Sequence, residues 1–361
     1  MNRYRSVAML TLSESVRSEA LSQEKEPRFT SPEFRKDKLS SSYWNVQQAM
    51  DLPFHLEPSS VTVGCNADEV ARRIDSDLRN RSVAAVFDDA EAVANCYTSC
   101  NLHYRVSLFK SECGGTIVEV QKRMGSSFEF AKQRAAIHNA SMGCSPKEAP
   151  KPFGTPRSMP IPDFIRNKLP PLSDSIIEDS LLQHAGPHNS RHDKMMSLND
   201  LITLTNPEKT SPIIASKAAK FILLGDDSSL RDFLINDVKS CSLDAESKAI
   251  RKSALQILFN CVVCLKNDSC LKSVIESCPW FSCVLAPTLL EDIDTCGCPH
   301  YTCLSFQIIS LLAQHSKRIS FSVKEAKEKV NGALEWGEDY GSARHAKLLE
   351  TTNAIRHLMG Q

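Results

Sequence analysis

The sequence carries no excess charge of either sign. Lys and Arg number 43, Asp and Glu also number 43, and the 361 residues have a formal net charge of zero. A polyanionic partner is held largely by cations that displace its counterions, so bulk nucleic-acid binding is excluded as the main role. No apolar run approaches the roughly 20 residues that cross a bilayer as a helix. Val7 to Leu12, behind Arg3 and Arg5, is too short for a secretory core, so export is not expected. A transit peptide would suit Arg17 and the serines but not Glu14, Glu19, Glu24 and Glu26. Catalytic signatures are missing too. There is no Gly-Lys-Ser/Thr phosphate loop, no Gly-x-Ser-x-Gly elbow, no His-Glu-x-x-His helix, and neither the His-Arg-Asp nor the Asp-Phe-Gly triplet of a kinase.

Cysteine, by contrast, is plentiful at 14 residues. In a chain of this size without an export signal these read as reduced thiols that pack as small hydrophobes, which makes the cytosol the expected compartment, with the nucleus as the other choice. The densest group is Cys296-x-Cys298-x-His300-x-x-Cys303. Structural zinc usually takes spaced ligand pairs that leave room for a turn, whereas this spacing is compressed and Cys303 falls on the core side of an apolar helix. Buried or loop thiols are therefore the reading, Cys261 and Cys264 included, with no metal and no cofactor. A Cys nucleophile with a distant His is the enzymatic alternative, because such pairs meet in space rather than in sequence. His138 and His345 read as ordinary helical residues.

Composition divides the chain into four parts. Residues 1–58 are Ser-, Glu- and Lys-rich without periodicity and are expected to be mostly disordered, with Tyr43-Trp44 and Leu52-Pro53-Phe54 as exceptions able to dock. Residues 144–194 form a Pro-rich linker, expected to be extended. Ser31-Pro32, Ser145-Pro146 and Thr155-Pro156 are candidate sites for proline-directed kinases. Between these stretches, residues 59–143 read as an α+β module with two helices on one face of an antiparallel sheet. Ala67-Asp68-Glu69 opens an amphipathic helix with Val70, Ile74 and Leu78 on one side. Val83 to Phe87 and Val93 to Thr98 are strand candidates. Leu102, Tyr104, Val106 and Leu108 alternate with His103, Arg105 and Ser107, which gives a strand with one buried and one wet face. Glu112-Cys113-Gly114-Gly115 turns the chain into a second strand around Val118 and Val120, and Gly125-Ser126-Ser127 caps a helix carrying Phe130, Ile137 and Ala140.

The stretch Val118-Glu119-Val120-Gln121-Lys122-Arg123-Met124-Gly125-Ser126-Ser127-Phe128-Glu129-Phe130 resembles the end of kinase-associated domain 1. There, a Val/Phe strand runs into a basic pair, a Gly-x-Ser turn and an aromatic residue opening the last helix. The resemblance implies binding of anionic phospholipid heads and a relation to a protein kinase. Residues 60–143 hold ten Lys and Arg against ten Asp and Glu, so such binding needs a local cluster, for which Lys122, Arg123, Lys132 and Arg134 are the candidates. The alternative is a solvated basic edge.

Residues 195–361 read as all-α. Apolar-periodic stretches cover Ile213 to Leu224, Leu230 to Val238, Ala249 to Leu265, Leu271 to Ile275, Tyr301 to Ala313, Val323 to Leu334 and Ala343 to Met359. Leu223-Leu224-Gly225-Asp226-Asp227-Ser228-Ser229-Leu230 is echoed by Cys264-Leu265-Lys266-Asn267-Asp268-Ser269-Cys270-Leu271, an offset within the range of armadillo and HEAT repeats. An armadillo-like stack is the expected architecture and a plain helical bundle the alternative. The expectation is thus two independent bodies on a tether. The whole would be a non-catalytic adaptor or scaffold binding protein partners through the helical surface, or else a peripheral protein holding anionic lipid through the α+β module.

Overall fold

The computed structural model describes residues 44–51, 56, 59–112, 114–144, 177–179, 181, 190–226, 228–240, 244–268, 271–294 and 298–360. The three Ser/Thr-Pro dipeptides, Tyr43, Leu52-Pro53-Phe54, Cys113, Cys296 and most of the Pro-rich stretch lie outside them.

The N-terminal half is a five-stranded antiparallel sheet in the order β1-β5-β4-β3-β2, with strands β1 (Val61–Val63), β2 (Ala84–Asp88), β3 (Val93–Tyr97), β4 (His103–Lys110) and β5 (Thr116–Met124). Helix α1 (Ala67–Asn80) precedes β2 and helix α2 (Ser127–Ser141) follows β5. Asn66 and Ser126 cap them by accepting the backbone N–H of Glu69 and Glu129. Period-two side chains of the sheet, among them Ala94, Cys96, Tyr104, Val106, Leu108, Val118 and Val120, bury against Val70, Ile74, Leu78 and Ile137 of the helices. Both helices therefore lie on one face of the sheet. Arg73 Nη1 donates to the Ser141 carbonyl at 3.1 Å and Arg81 to Gln133, which fixes α1 against α2. At the β4–β5 hairpin Gly115 has φ +92°, and a Cβ there would stand 2.4 Å from the Val63 carbonyl oxygen, so only glycine lets β1 pair beside the turn.

One feature departs from the sequence reading, and the docking expected of Trp44 is met. The second face of the sheet is not uniformly wet: Ser107 and Glu119, opposite each other in register, are each 3% exposed, beside the buried cross-strand pair Phe109 and Ile117. The N-terminal arm also belongs to the fold. Trp44 is fully buried and stacks on Phe87 with ring centroids 5.4 Å apart, Val46 is buried beside it, and Met50 bridges β4 at Phe109.

The C-terminal half is helical throughout its described residues: α3 (Arg191–Thr205), α4 (Pro212–Leu224), α5 (Ser229–Lys239), α6 (Ala245–Asn267), α7 (Leu271–Ser277), a π-helical turn (Phe281–Leu285), α8 (Ala286–Asp294), α9 (Pro299–His315), α10 (Lys317–Glu325), α11 (Lys327–Arg344) and α12 (Ala346–Met359). Its core joins Leu198, Leu201, Ile222, Leu258, Phe281, Phe306, Leu312 and Ile355. Ile177 and Leu181, inside the stretch read as linker, bury in this core, and α3 begins at Arg191, before the boundary at 195 read from the sequence, and enters the core through Leu198. Two helix assignments shift. Val323 to Leu334 crosses the break between α10 and α11, and Ala343 to Met359 crosses the one between α11 and α12, where His345 Nδ1 accepts the Leu348 N–H and caps the new helix. His345 is therefore a buried cap and not a mid-helix residue.

The halves are not independent bodies. The β3–β4 turn enters the helical half: Lys252 Nζ on α6 donates to the Thr98 carbonyl at 2.9 Å, Asn101 Nδ2 to Ser253 Oγ at 3.1 Å, and His300 on α9 bonds the Tyr97 carbonyl at 3.0 Å. Asn101 holds φ +58°, a left-handed conformation that Asn tolerates better than most side chains. From the α1–β2 turn, Ser82 Oγ accepts the Lys347 N–H at 2.9 Å and so serves the first turn of α12. Arg344 lies 4.2 Å over the Phe87 ring. Burial pushes the nearby Asp75 carboxyl of α1 upward, and the charge of Arg344 and the Trp44 backbone N–H pull it back.

Trp44→Ala is expected to cost about 3 to 5 kcal/mol, the range for emptying a buried aromatic site. Denaturant unfolding of the full chain measures it; a midpoint unmoved by the substitution would show that the arm does not belong to the core.

Candidate functional site

Two places collect functional side chains, one exposed and one buried. The exposed one is the ridge where β5 ends and α2 begins. Lys122, Arg123 and Met124 form the exposed end of β5. Gly125 then reverses the chain at φ +106°, and a Cβ there would meet Leu102 Cα at 2.8 Å, so the turn depends on glycine. Phe128 follows in the first turn of α2 with 63% of its surface exposed, and Met124 is 43% exposed. Lys132, one turn on, sits 4.4 Å over the Phe128 ring and 3.1 Å from Glu129 Oε1. Lys122 Nζ donates to Ser127 Oγ at 2.7 Å, and Arg123 to Gln121 Oε1 at 3.0 Å.

Of the four cations read from the sequence, Lys132 lies over Phe128, Lys122 bonds the adjacent Ser127, and Arg123 is held at Gln121 on β5. Arg134 stands apart. It lies over Phe130 at 5.7 Å, and two helical positions rotate it by roughly 200° from Lys132. The residues missed were Met124 and Phe128, apolar side chains inside the very motif that carried the resemblance; their signal was a large apolar residue on each side of a Gly-Ser-Ser turn that has no core to enter.

The buried place is the junction. Lys252 is 6% exposed, and burial drives its ammonium down to about 8, against the opposing pull of the Cys298 and Cys100 thiols. Cys298 precedes α9 and is pushed up by burial, although Lys252 and the N–H groups of Tyr301 and His300 favour its thiolate. Cys100 Sγ lies 3.1 Å from Thr98 Oγ1. His103 on β4 is lowered to about 4 by burial and by Lys252. Both nitrogens of His300 are occupied, one at the Tyr97 carbonyl and one at His345 Nε2, 3.3 Å away. A general base needs a free lone pair within reach of its proton, and this ring offers none.

Cys303 turns elsewhere. It is 4% exposed, takes a weak bond from Thr351 Oγ1, and is raised by burial to about 11. Cys298, His300 and Cys303 do not converge, and among the described residues no three His, Cys, Asp or Glu side chains are placed to share a metal ion. Cys96, Cys261 and Cys264 are buried, whereas Cys100 and Cys283 are exposed. Among the described residues no single helix is long and apolar enough to cross a membrane.

No protein-family model matches the chain, and neither a curated protein nor a solved structure does.

The buried ammonium makes a signed prediction. In the folded chain Lys252 releases its proton near pH 8, whereas unfolded it holds it to about pH 10.4. Between those values the unfolded state binds more protons, so Lys252 makes stability rise with pH there, while below about pH 8 it imposes a constant cost. The stability of wild type relative to Lys252→Met, measured by denaturant midpoints, should therefore grow from pH 8 to 10.5. A difference independent of pH would contradict the buried-charge assignment.

Proposed function

We propose that this chain is a non-catalytic adaptor that rests on anionic phospholipid through the ridge at the end of β5, its α+β module being kinase-associated-domain-1-like and its helical half armadillo-like. The observation that carries the reading is Phe128, 63% exposed with Lys132 over its ring, beside the exposed Lys122 and Arg123 at the end of β5. An exposed aromatic among cations suits an interface that offers apolar depth below a layer of negative charge. Each cation near such a surface contributes about 1 kcal/mol, and burying Phe128 adds about 1 to 2. The sum, about 3 to 4 kcal/mol once Glu129 offsets Lys132, corresponds to a Kd of about a millimolar or somewhat above. The ridge alone is thus a weak anchor, and a second contact, from a protein partner such as a kinase, completes the attachment at the cytosolic face.

The armadillo-like reading is supported by the sequence echo. Residues 223–230 span the corner from α4 to α5 and residues 264–271 the corner from α6 to α7, with Leu223, Leu230, Leu265 and Leu271 all buried. A second role, protein docking on this half, is favoured by Ile213 and Phe321, 70% and 61% exposed, and by a groove of about 780 Å³ lined by Val284, Pro287 and Leu290 with Lys239, Glu291 and Lys327. The non-catalytic reading is supported by the committed nitrogens of His300 and the raised Cys298 and Cys303 thiols, which among these described residues leave no activated nucleophile beside a free base.

Co-sedimentation of the full chain with phosphatidylcholine vesicles, with and without phosphatidylserine, tests this. Binding should require phosphatidylserine, fall about fivefold for each of Lys122→Ala and Arg123→Ala, fall again with Phe128→Ala, and stay unchanged with Lys272→Ala on the helical half. Binding that ignores these ridge substitutions, or none at all, would remove the membrane reading and leave docking on the helical half.

A further inference from the structure

The π-helical turn carries a thiol to the lip of the groove on the helical half. Phe281 and Leu285 are buried in the core, and Cys283 between them is exposed. From α10, Arg318 Nη2 donates to its Sγ at 3.5 Å. The groove beside it, about 780 Å³, has room for a small peptide above the apolar Val284, Pro287 and Leu290. Two features of its wall suit a carboxylate. Thr288 lines the groove and is 5% exposed, and its hydroxyl bonds nothing among the described residues. Helix α11, 18 residues long, starts in the same groove with Ala326 at its cap position, so no side chain accepts from the N–H groups of its first turn. A helix start favours an anion, and a threonine hydroxyl can donate to one. Around the rim Lys239, Lys327 and Lys329 balance Glu291, Glu325 and Glu328, and Arg318 tips the site to net positive. Such a site fits a small ligand that bears both carboxylates and an ammonium, with a net negative charge.

We propose that Cys283 is a thiol-modification site, where the groove recruits the disulfide of an anionic γ-glutamyl tripeptide of the glutathione type and forms a mixed disulfide with it. The Cys283 thiolate attacks one sulfur of that disulfide. A bond forms between Sγ and this sulfur as the old S–S bond breaks, and the second tripeptide leaves as a thiolate that takes up the proton Cys283 gave up. Cys283 is oxidised and the departing thiol is reduced, so the exchange needs no other reagent. Reactive cysteines are partly exposed and stand beside a cation, and Arg318 supplies that cation here. The carboxylates of the bound tripeptide are placed to meet Thr288, Lys327 and the start of α11. This site is separate from the lipid ridge, because none of its residues lies on β5 or α2.

Peptide mapping of the full chain, after timed incubation with glutathione disulfide or with the neutral bis(2-hydroxyethyl) disulfide, gives the rate of modification at each cysteine. The ratio of the two rates, measured in the folded chain and again in urea, removes the intrinsic difference between the reagents. At Cys283 folding should raise this ratio about tenfold, as expected of a few exposed charge-assisted contacts. Cys100, exposed but outside the groove, should show no such rise. Lys327→Gln and Thr288→Val should each slow the glutathione reaction at Cys283 about threefold and leave the neutral reagent's rate unchanged. A Cys283 ratio equal in folded and unfolded chain, an equal rise at Cys100, or a ratio unmoved by Lys327→Gln would show that exposure alone governs the thiol and would overturn the proposal. Lys327 is exposed, so its variant keeps the test decisive even where Thr288→Val fails to fold.

Discussion

A polar side chain taken out of water is costly unless a partner replaces the water, and this chain places such a group, the Lys252 ammonium, between its halves, with other polar bonds around it. Lys252 on Thr98, Asn101 on Ser253, His300 on Tyr97 and Ser82 on Lys347 each join one half to the other, mostly through a backbone atom. Backbone atoms of a tight turn sit where the strands put them, so these bonds form together or not at all. Their joint geometry admits one orientation of the sheet against the helices. The left-handed Asn101 and Ser82 show how closely the two turns are shaped to meet that demand.

This fixed orientation would change how the proposed adaptor works. A flexible tether would raise the local concentration of one binding surface near another without setting their geometry. Here the ridge around Phe128 and the exposed faces of the helical half hold one mutual position, so a partner on the helices would stand at a defined place relative to the lipid surface. The neutral net charge fits such a division: on the proposed reading attraction comes from the few cations at the end of β5 and the start of α2, not from the molecule as a whole.

Most of the secondary structure was legible in the sequence because local periodicity and the hydrophobic core agree. Val70, Ile74 and Leu78 repeat every four residues, and all three are buried; Tyr104, Val106 and Leu108 alternate, and they too are buried. Three residues of β1 are too few to show a period, and although Trp44 stood out as able to dock, its seat on Phe87, 43 positions later, carries no sequence pattern. The breaks at Ala326 and His345 were hidden because apolar spacing continues across them and an imidazole is an unusual cap. Of the candidate site, the basic residues were visible as charges, yet the separation of Arg134 from Lys132 follows from helix geometry, and Phe128 gained meaning only from its exposure. The junction was illegible: Lys252, His300 and Thr98 are far apart in the chain and carry no pattern that links them.

Scanning calorimetry of the full chain at pH 7.5 tests the single-body account most directly. Because the halves share a set of polar contacts that form together, the buried Lys252 among them, one cooperative transition is expected, with calorimetric and van't Hoff enthalpies equal. Two resolved transitions, each with the enthalpy of one half, would contradict it.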